Sequence, residues 1–359
     1  MKTIDKIDEN LKIETSLNLP DAVWYSAKDT SKFTVKGVIP FENGFIRMEK
    51  EAAERVSENV ASLNHHTSGG RLFFETDANY IAFRAKGSAC QSAVFSIMSS
   101  SGADMYIDEG NGYFHFNIFI PPSSYTEGTF EKLAELENNR HYKHLYRKMK
   151  RKVMIYLPLY SCCEDLYLGF PEDATVNPFE PYNQPPIVYY GSSITQGACA
   201  SRPGNAYPAV VSRKTDTDFL CLGFSGAAHG EQEMAEYIAG LSMSLFVMEY
   251  DHNDCVSPDL LKERHLKFYE TVRNKNPELP IIIMSAPFSY CNEEMYKKSH
   301  DVVKETYEIA KKRGDNVYFI DGMTIFDGPF KDCATADDSH PNDYGFIRMA
   351  DAVIKEIKL

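Results

Sequence analysis

The sequence predicts two domains of different fold class, an N-terminal β-sandwich and a C-terminal α/β domain. The chain has 359 residues, which exceeds the usual size of a single domain. Its first half contains short runs of aromatic and β-branched residues separated by turn formers, as in antiparallel sandwiches. Its second half alternates apolar runs with helical patterns, which favours a parallel sheet with helices on both faces.

The first domain, residues 1–172, is expected to be mainly β-structure. Several of its apolar runs alternate with polar positions, a pattern typical of strands with one buried face. A single helical pattern covers residues 49–60, and the basic stretch 140–152 is interpreted as a solvated face. We expect strands at residues 33–38, 71–76, 80–84, 93–98, 113–120 and 152–157.

A proline-rich segment separates the two halves. Five prolines occur between residues 171 and 186, with few helix or strand signals among them, so residues 173–186 are interpreted as a linker. The second domain then covers residues 187–359. We expect its strands at residues 187–190, 219–222, 245–250, 281–285 and 317–320, and its helices at residues 206–214, 232–241, 258–274, 293–313 and 342–357.

Charge and hydropathy exclude several classes of partner. The net charge of −13 disfavours binding to nucleic acid or to an anionic membrane surface. The first ten residues alternate charges and have no apolar core, so they are interpreted as neither a signal peptide nor a membrane anchor. No apolar run approaches the length that spans a bilayer. We therefore expect a cytoplasmic protein.

The chemistry is expected where the parallel strands end, because ligands of open α/β sheets bind outside the carboxyl ends of the strands. The first strand leads into Gly191 and two serines at the start of a helical pattern, so that Ser193 would stand on a tight turn beside backbone N–H groups. The next strands are followed by a glycine turn, 223–226, and by the polar segment 251–254. The last helix is preceded by the polar segment 337–342.

These segments contain the parts of an acyl-transfer site. Ser193 is the candidate nucleophile, and a serine hydroxyl needs a base to take its proton. His340 is the candidate base, since imidazole titrates near neutral pH. Asp337 lies three residues earlier and can orient the imidazole and stabilise its charged form, with Asp338 as the second choice.

The tetrahedral intermediate needs hydrogen-bond donors aimed at its oxyanion. We assign the backbone amides of Ser193 and Gly226 and the side chain of Asn253 to this role. Losing one such donor typically lowers kcat by about 10²- to 10³-fold.

Other polar residues near these segments are assigned secondary roles. His252 is an alternative base without an evident aspartate partner, and a nucleophilic Ser192 would need the turn shifted by one residue. Arg202, His229 and His252 are candidate pocket residues. Asp104 is interpreted as an acidic turn residue.

No metal site and no cofactor are expected. Neighbouring side chains in 251–254 would point in opposite directions on an extended segment, and the pair His65–His66 has no third ligand at a matching interval. The eight cysteines show no paired metal-ligand spacing. They are interpreted as buried free thiols.

At these residues the sequence resembles the SGNH (GDSL-type) hydrolases, named for Ser, Gly, Asn and His in four separate blocks. The matching residues are Ser193, Gly226, Asn253 and His340, with Asp337 in the Asp-x-x-His block. The resemblance implies a flavodoxin-like three-layer α/β/α domain with a five-stranded parallel sheet. The Gly-x-Ser-x-Gly elbow of the α/β-hydrolases does not match, because Thr195 occupies the last glycine position.

The first block departs from Gly-Asp-Ser, with Ser192 at the aspartate position. This resembles a branch that has a small residue there and an Ala-Ser-Arg-Pro-Gly segment, here 200–204. The same branch has an N-terminal β-sandwich, jelly-roll-like, with a Gly-x-Asp-Leu-Tyr signature similar to residues 102–106. The resemblance therefore extends over nearly the whole chain.

What the resemblance implies is a serine esterase that forms an acyl-enzyme and needs no metal. A sandwich domain beside the catalytic domain favours removal of acetyl or another short acyl group from a small saccharide. A longer-chain esterase or thioesterase, and an inactive carbohydrate-binding protein on the same scaffold, stay open as alternatives. The acyl length, the oligomeric state and the role of the sandwich are not determined, and a homo-oligomer stays open.

Overall fold

The computed structural model describes residues 15–90, 92–136, 149–254, 257–288 and 293–357. The basic stretch 140–152 lies largely outside these residues, as do two of the cysteines, at positions 255 and 291. The described chain forms antiparallel sheets in its first half and a parallel sheet in its second half. The predicted fold class is confirmed.

The first half contains two antiparallel sheets. One has the strand order β1-β11-β6-β9, and the other has the order β12-β5-β10-β7-β8, with β2 also paired to β5. A separate hairpin joins β3 and β4. The strands are β1 (Ala22–Ser26), β2 (Thr34–Lys36), β3 (Ile39–Phe41), β4 (Gly44–Ile46), β5 (Arg71–Thr76), β6 (Tyr80–Ser88), β7 (Ala103–Asp108), β8 (Phe114–Phe119), β9 (Glu127–Glu135), β10 (Arg151–Tyr156), β11 (Glu164–Pro171) and β12 (Val176–Asn177).

The core of the first half lies between these two sheets. Alternate residues of the strands point inward, so apolar side chains from both sheets meet. Phe83 and Phe119 stack with ring centroids 4.7 Å apart, and Phe33 packs edge-on against Phe74 at 5.3 Å. All four side chains are almost fully buried.

The second half contains a five-stranded parallel sheet with the order β14-β13-β15-β16-β17. Parallel neighbours require crossover connections, and helices supply them on both faces. The strands are β13 (Ile187–Gly191), β14 (Phe219–Gly223), β15 (Leu245–Glu249), β16 (Ile281–Met284) and β17 (Val317–Ile320). The helices are α4 (Ser193–Gln196), α5 (Tyr207–Thr215), α6 (Gln232–Ala239), α7 (Pro258–Lys275), α8 (Glu293–Arg313) and α9 (Asp343–Glu356).

The two halves share their hydrophobic cores. On one face of the parallel sheet, Tyr156 and Tyr160 from the first half belong to the same buried cluster as Tyr207 and Phe346. On the other face, helices α1 (Lys50–Val56) and α2 (Glu58–Leu63) join the cluster formed with α6 and α7. Residues of the first half are therefore part of the buried clusters on both faces of the parallel sheet.

Several local predictions were wrong. Residues 93–98 do not form a strand, because Ser96 caps the short helix α3 (Ile97–Ser100). The helical pattern 49–60 is divided into two helices at Ser57, whose side chain accepts a hydrogen bond from the Val60 N–H. Part of the proposed linker is β-structure, since β12 pairs with β5. The domain boundaries at 172 and 187 stay a prediction.

The described cysteines match the expectation of free thiols only in part. Six are free, and three of these are buried, but Cys333 is exposed. None of the described helices has both the length and the apolar composition needed to cross a membrane.

Candidate active site

Ser193 stands at the junction of β13 and α4. Gly191, two residues earlier, has no room for a side chain, since a Cβ would collide with Thr195 and with the Glu249 carbonyl. Ser192 caps the helix, and its Oγ accepts the Ile194 N–H at 3.1 Å. This tight turn places Ser193 at the carboxyl end of the sheet with 5% of its surface exposed.

Ser193 is hydrogen bonded to the predicted base. Its Oγ lies 2.9 Å from His340 Nε2, and His340 Nδ1 lies 2.9 Å from Asp337 Oδ2. With the proton on Nδ1, the imidazole donates to Asp337 and its Nε2 accepts from the serine. The structure thus brings the three predicted residues into one hydrogen-bonded chain with the order of a serine–histidine–aspartate triad.

The segment before α9 holds the aspartate in place. Asp337 Oδ1 accepts the backbone N–H groups of Ser339, at 3.2 Å, and of His340, at 2.7 Å. Burial would raise the pKa of Asp337, but these hydrogen bonds and the His340 ring lower it below its usual range. Asp337 rather than Asp338 therefore carries the charge bonded to the imidazole.

The first half of the chain contacts the same site, which the sequence did not indicate. The Tyr160 hydroxyl donates to the Ser193 carbonyl at 3.1 Å. Phe95 packs on Tyr160 with ring centroids 4.6 Å apart and lies edge-on to the His340 ring at 6.1 Å. Phe95 belongs to the segment that was wrongly predicted as a strand.

Further contacts from the first half hold α4. Gln196 donates to the Leu159 carbonyl at 3.0 Å, and the Gln196 carbonyl accepts from Ser68 at 2.8 Å. The same glutamine side chain accepts the Ser225 N–H at 3.0 Å, which ties α4 to the turn after β14. The helix that begins with the candidate nucleophile is thus fixed from two sides.

Two of the three predicted oxyanion donors, the Gly226 N–H and the Asn253 side chain, come together but are paired with each other. Asn253 Oδ1 accepts the Gly226 N–H at 3.2 Å. Asn253 Nδ2 donates to the carbonyls of Phe224, at 3.2 Å, and Ala228, at 3.0 Å. Neither donor is therefore free in this state, and their oxyanion role stays a prediction.

The three candidate pocket residues lie in different places and have different partners. His252 contacts Ser339 Oγ at 3.0 Å, and burial lowers its pKa to about 4, so it is a neutral neighbour of His340 rather than the base bonded to Ser193. His229 lies at the turn after β14 and contacts Asp254. Arg202 forms hydrogen bonds to Asp104 and Tyr106 of the first half.

That contact corrects the reading of Asp104 as a turn residue. Asp104 lies in β7 and is fully buried. It accepts hydrogen bonds from the Arg202 guanidinium at 3.3 Å and from the Gly204 N–H at 3.1 Å, and His115 Nε2 lies 2.8 Å away. Tyr106 accepts from Arg202 at 2.9 Å. Hydrogen bonds thus join residues 102–106 of the first half to segment 200–204 of the second half.

A buried carboxyl group lies under the nucleophile turn. Glu249 is fully buried and accepts hydrogen bonds from Ser192, at 3.1 Å, and Thr195, at 2.7 Å. Burial raises the pKa of Glu249 to about 8, and the nearby Asp251 adds to the shift. Ser192, at the position of the usual aspartate, therefore contacts a carboxyl group supplied by the neighbouring strand.

Among the described residues one cluster has the composition of a metal site. Cys199, Asp337 and His340 bring one ligand atom each within 4.8 Å of one another. Two of these residues form the hydrogen bond that orients the imidazole, so a metal there would displace that bond. The other candidates are engaged elsewhere: His66 contacts Gln196, and Asp251 accepts the Ala286 N–H.

Comparison with known proteins agrees with this arrangement. Residues 184–358 match the sequence profile of the GDSL-like lipase/acylhydrolase family, and residues 22–176 match the GxDLY profile for the N-terminus of SGNH-hydrolase-type esterases. A search of curated protein sequences gave no match.

Solved structures resemble the chain over most of its length. A GDSL-like lipase from Bacteroides ovatus is 28% identical, with a TM-score of 0.82 over 94% of this chain and 98% of that one. A salicylyl-acyltransferase from a tetracycline biosynthetic pathway is 19% identical, with a TM-score of 0.76 over 94% and 97%. An acetyl xylan esterase from Butyrivibrio proteoclasticus is 12% identical, with a TM-score of 0.56 over 93% and 97%, which shows the fold alone. The chain belongs to the SGNH (GDSL-like lipase/acylhydrolase) family, and it is an enzyme that hydrolyses ester bonds.

Proposed function

We propose that this protein is a serine esterase that removes an acetyl or other short acyl group from a carbohydrate through an acyl-enzyme intermediate. The observation that carries the proposal is the hydrogen-bonded chain Ser193–His340–Asp337, with 2.9 Å at both side-chain contacts of the imidazole. A neutral imidazole in this position can take the serine proton as Oγ attacks the ester carbonyl.

The remaining steps follow from the same geometry. The imidazolium formed in the attack is stabilised by Asp337 and returns its proton to the departing alcohol. Water then enters, His340 takes a proton from it, and the acyl-enzyme is cleaved to release the carboxylic acid and free Ser193. Each step moves one proton through Nε2 while Nδ1 stays bonded to Asp337.

Negative charge on the tetrahedral oxygen needs the Gly226 turn. For Gly226 N–H to serve the oxyanion, it must exchange its bond to Asn253 Oδ1 for one to the substrate oxygen. A rotation of the Asn253 side chain would release both groups at once, since its Nδ2 is bonded to carbonyls of the same turn. We infer that this exchange occurs as substrate binds, so that the donors already face the carbonyl oxygen when its charge develops.

The carbohydrate part of the proposal has two supports. One is the fold shared with an acetyl xylan esterase and with a Clostridium thermocellum family two carbohydrate esterase described in complex with cellohexaose. The other is Phe95, a partly exposed aromatic ring that lies edge-on to the His340 ring with centroids 6.1 Å apart. An aromatic face is a common platform for the apolar face of a sugar ring.

The test compares hydrolysis of p-nitrophenyl acetate, butyrate and octanoate by the wild type and by Ser193→Ala, with a chelator present. We expect chelator-resistant activity that is highest on acetate and is lost in Ser193→Ala. Ser31→Ala, at an exposed position in the first half, is the matched control and should keep full activity.

Each other result has a definite meaning. A preference for octanoate would move the proposal to a longer-chain esterase, and acetylated saccharides should then be poor substrates. Equal rates in the wild type and Ser193→Ala would show that another residue is the nucleophile. Rapid acid quenching followed by mass spectrometry should find the acyl group on Ser193, and an acyl group found on another residue instead would exclude Ser193 as the nucleophile.

A further inference from the structure

His229 lies beside the candidate oxyanion turn, and both of its ring nitrogens have partners. Nδ1 lies 2.7 Å from Asp254 Oδ1, and Nε2 lies 3.2 Å from the Gly226 carbonyl oxygen. Asp254 is buried, whereas about a third of the His229 side chain is exposed. The histidine thus bridges the loop after β15 and the turn after β14.

The identity of these partners decides the charge of the ring. A carboxylate and a carbonyl both accept hydrogen bonds, so both nitrogens of His229 must donate. A neutral imidazole carries one N–H and can satisfy one of the two contacts, whereas an imidazolium satisfies both. The geometry therefore selects the protonated form of His229.

The charges around His229 favour that form. The hydrogen bond to Asp254 raises the pKa of His229, burial opposes the shift, and Glu231 adds to it. The Glu231 side chain accepts the backbone N–H of His229 at 3.2 Å. Arg264 from α7 donates to the His229 backbone carbonyl at 3.0 Å rather than facing the ring. The tyrosines Tyr190 and Tyr250 border the same region, and burial raises the pKa of both, so they stay neutral.

Gly226 itself has little packing, although Phe224, Ala227 and Ala228 around it are buried. Gly226 is exposed, its φ of +64° lies in the left-handed region, and a Cβ there would meet no atom within 4 Å. Its carbonyl is bonded to His229 and its N–H to Asn253, the residue next to Asp254. Hydrogen bonds rather than packing therefore fix the direction of the Gly226 peptide groups.

We propose that protonated His229, held by Asp254, is a positioning residue that fixes the Gly226 turn, so that catalysis requires this histidine to be charged while His340 is neutral. The inference rests on the proposed esterase function. It implies that activity falls at alkaline pH for a reason separate from the base: His229 loses its proton, and with it the bond to the Gly226 carbonyl.

The first experiment measures kcat and KM for p-nitrophenyl acetate across pH in the wild type, His229→Gln and Asp254→Asn. We expect kcat to fall by about 10- to 100-fold in His229→Gln with a small change in KM, as for a misplaced catalytic group. The alkaline decline of the wild type should disappear in His229→Gln, and in Asp254→Asn it should move to lower pH. The acid decline should remain in all three.

His65→Gln is the matched control, because His65 is an exposed histidine of the first half. It should keep both limbs of the wild-type profile. If the wild type and Ser193→Ala differ as proposed but His229→Gln has the wild-type kcat and alkaline limb, the inference about His229 is wrong and the esterase function stands.

A second measurement does not depend on activity. In an NMR titration, the His229 ring should change charge at a higher pH in the wild type than in Asp254→Asn. A His229 ring that changes charge at the same pH in both proteins would overturn the inference even if the protein hydrolysed no ester tested.

Discussion

The two halves of the molecule contribute to the site in different ways. The second half supplies every group assigned a chemical role, and all of them lie at the carboxyl edge of its parallel sheet. The first half supplies none of these groups, yet Tyr160, Ser68 and Leu159 hydrogen bond to the four-residue helix that begins at Ser193. In the proposed mechanism the second half carries the reacting atoms, and the first half holds the helix on which one of them lies.

This difference explains how a short helix can hold a nucleophile. A helix of one turn has little stability alone, since nucleation costs more than one turn of hydrogen bonds returns. Contacts from the first half and the glycine turn after β14 compensate for that cost. We therefore expect changes in the second half to remove the chemistry, and changes in the first half to weaken it.

The largest effect is expected in the second half, for Asp337→Asn. Asparagine can donate to Nδ1, which favours the tautomer with the proton on Nε2 and prevents His340 from accepting the serine proton. We expect kcat to fall by about 10³- to 10⁴-fold. Asp338→Asn is the control, since asparagine tolerates the left-handed φ of +63° at that position, and it should lose little. Equal losses in both variants would refute the assignment of Asp337.

A smaller effect is expected in the first half, for Asp104→Asn. The substitution removes the charge that binds Arg202 and weakens the bond to Gly204, so segment 200–204 should shift. A shift of about 1 Å near a site can lower kcat by about 10²-fold. Asp108→Asn on the same strand is the control, because Asp108 accepts hydrogen bonds from the local turn groups Gly110 and Gly112. If Asp104→Asn loses thermal stability but no activity, the contact between Asp104 and segment 200–204 has a structural role alone.

A still smaller effect, limited to one part of the substrate, is expected for Phe95→Ala. Phe95 lies beside the His340 ring, and we propose that it borders the alcohol part of the substrate. We expect KM to rise by about 10-fold for esters of bulky alcohols, with the preference among acyl lengths unchanged. Val94→Ala, at the exposed neighbour, should change neither. A changed acyl preference in Phe95→Ala would place the acyl group beside Phe95 instead.

The smallest effect on activity is expected for Glu249→Gln, which acts on stability. Because burial raises the pKa of Glu249 to about 8, the folded protein keeps its proton where the unfolded chain loses it. The folded state is therefore destabilised as pH rises from the unfolded pKa towards about 8. Glutamine has no proton to lose, so Glu249→Gln avoids this destabilisation. The difference in the free energy of unfolding between Glu249→Gln and the wild type, measured by urea unfolding, should grow in favour of the variant by on the order of 2 kcal/mol between about pH 5 and about pH 7. A gain that does not depend on pH would show that Glu249 is ionised throughout.

Much of the fold could be predicted because its signals are local. Apolar runs and helical periodicity placed β5, β17 and α8 at their observed limits. The three-residue spacing of Asp337 and His340 predicted their contact, since both lie within one turn of chain. The positions of Ser193, Gly226 and Asn253 after predicted strands marked them as candidate site residues, and the resemblance to the SGNH hydrolases agreed with that choice. The strand predicted at 93–98 was wrong because its apolar content serves packing against Tyr160 rather than a sheet.

The sequence by itself determined which residues could do chemistry and on which edge of the parallel sheet they would meet. Only the tertiary structure decided that Asp104 binds Arg202, that Phe95 lies against His340, and that the Gly226 carbonyl and Asp254 make His229 a cation. The physical reason is that a pattern along the chain reports burial and local geometry. The charge and role of a polar side chain depend instead on partners far away in sequence, which folding alone brings within hydrogen-bond distance.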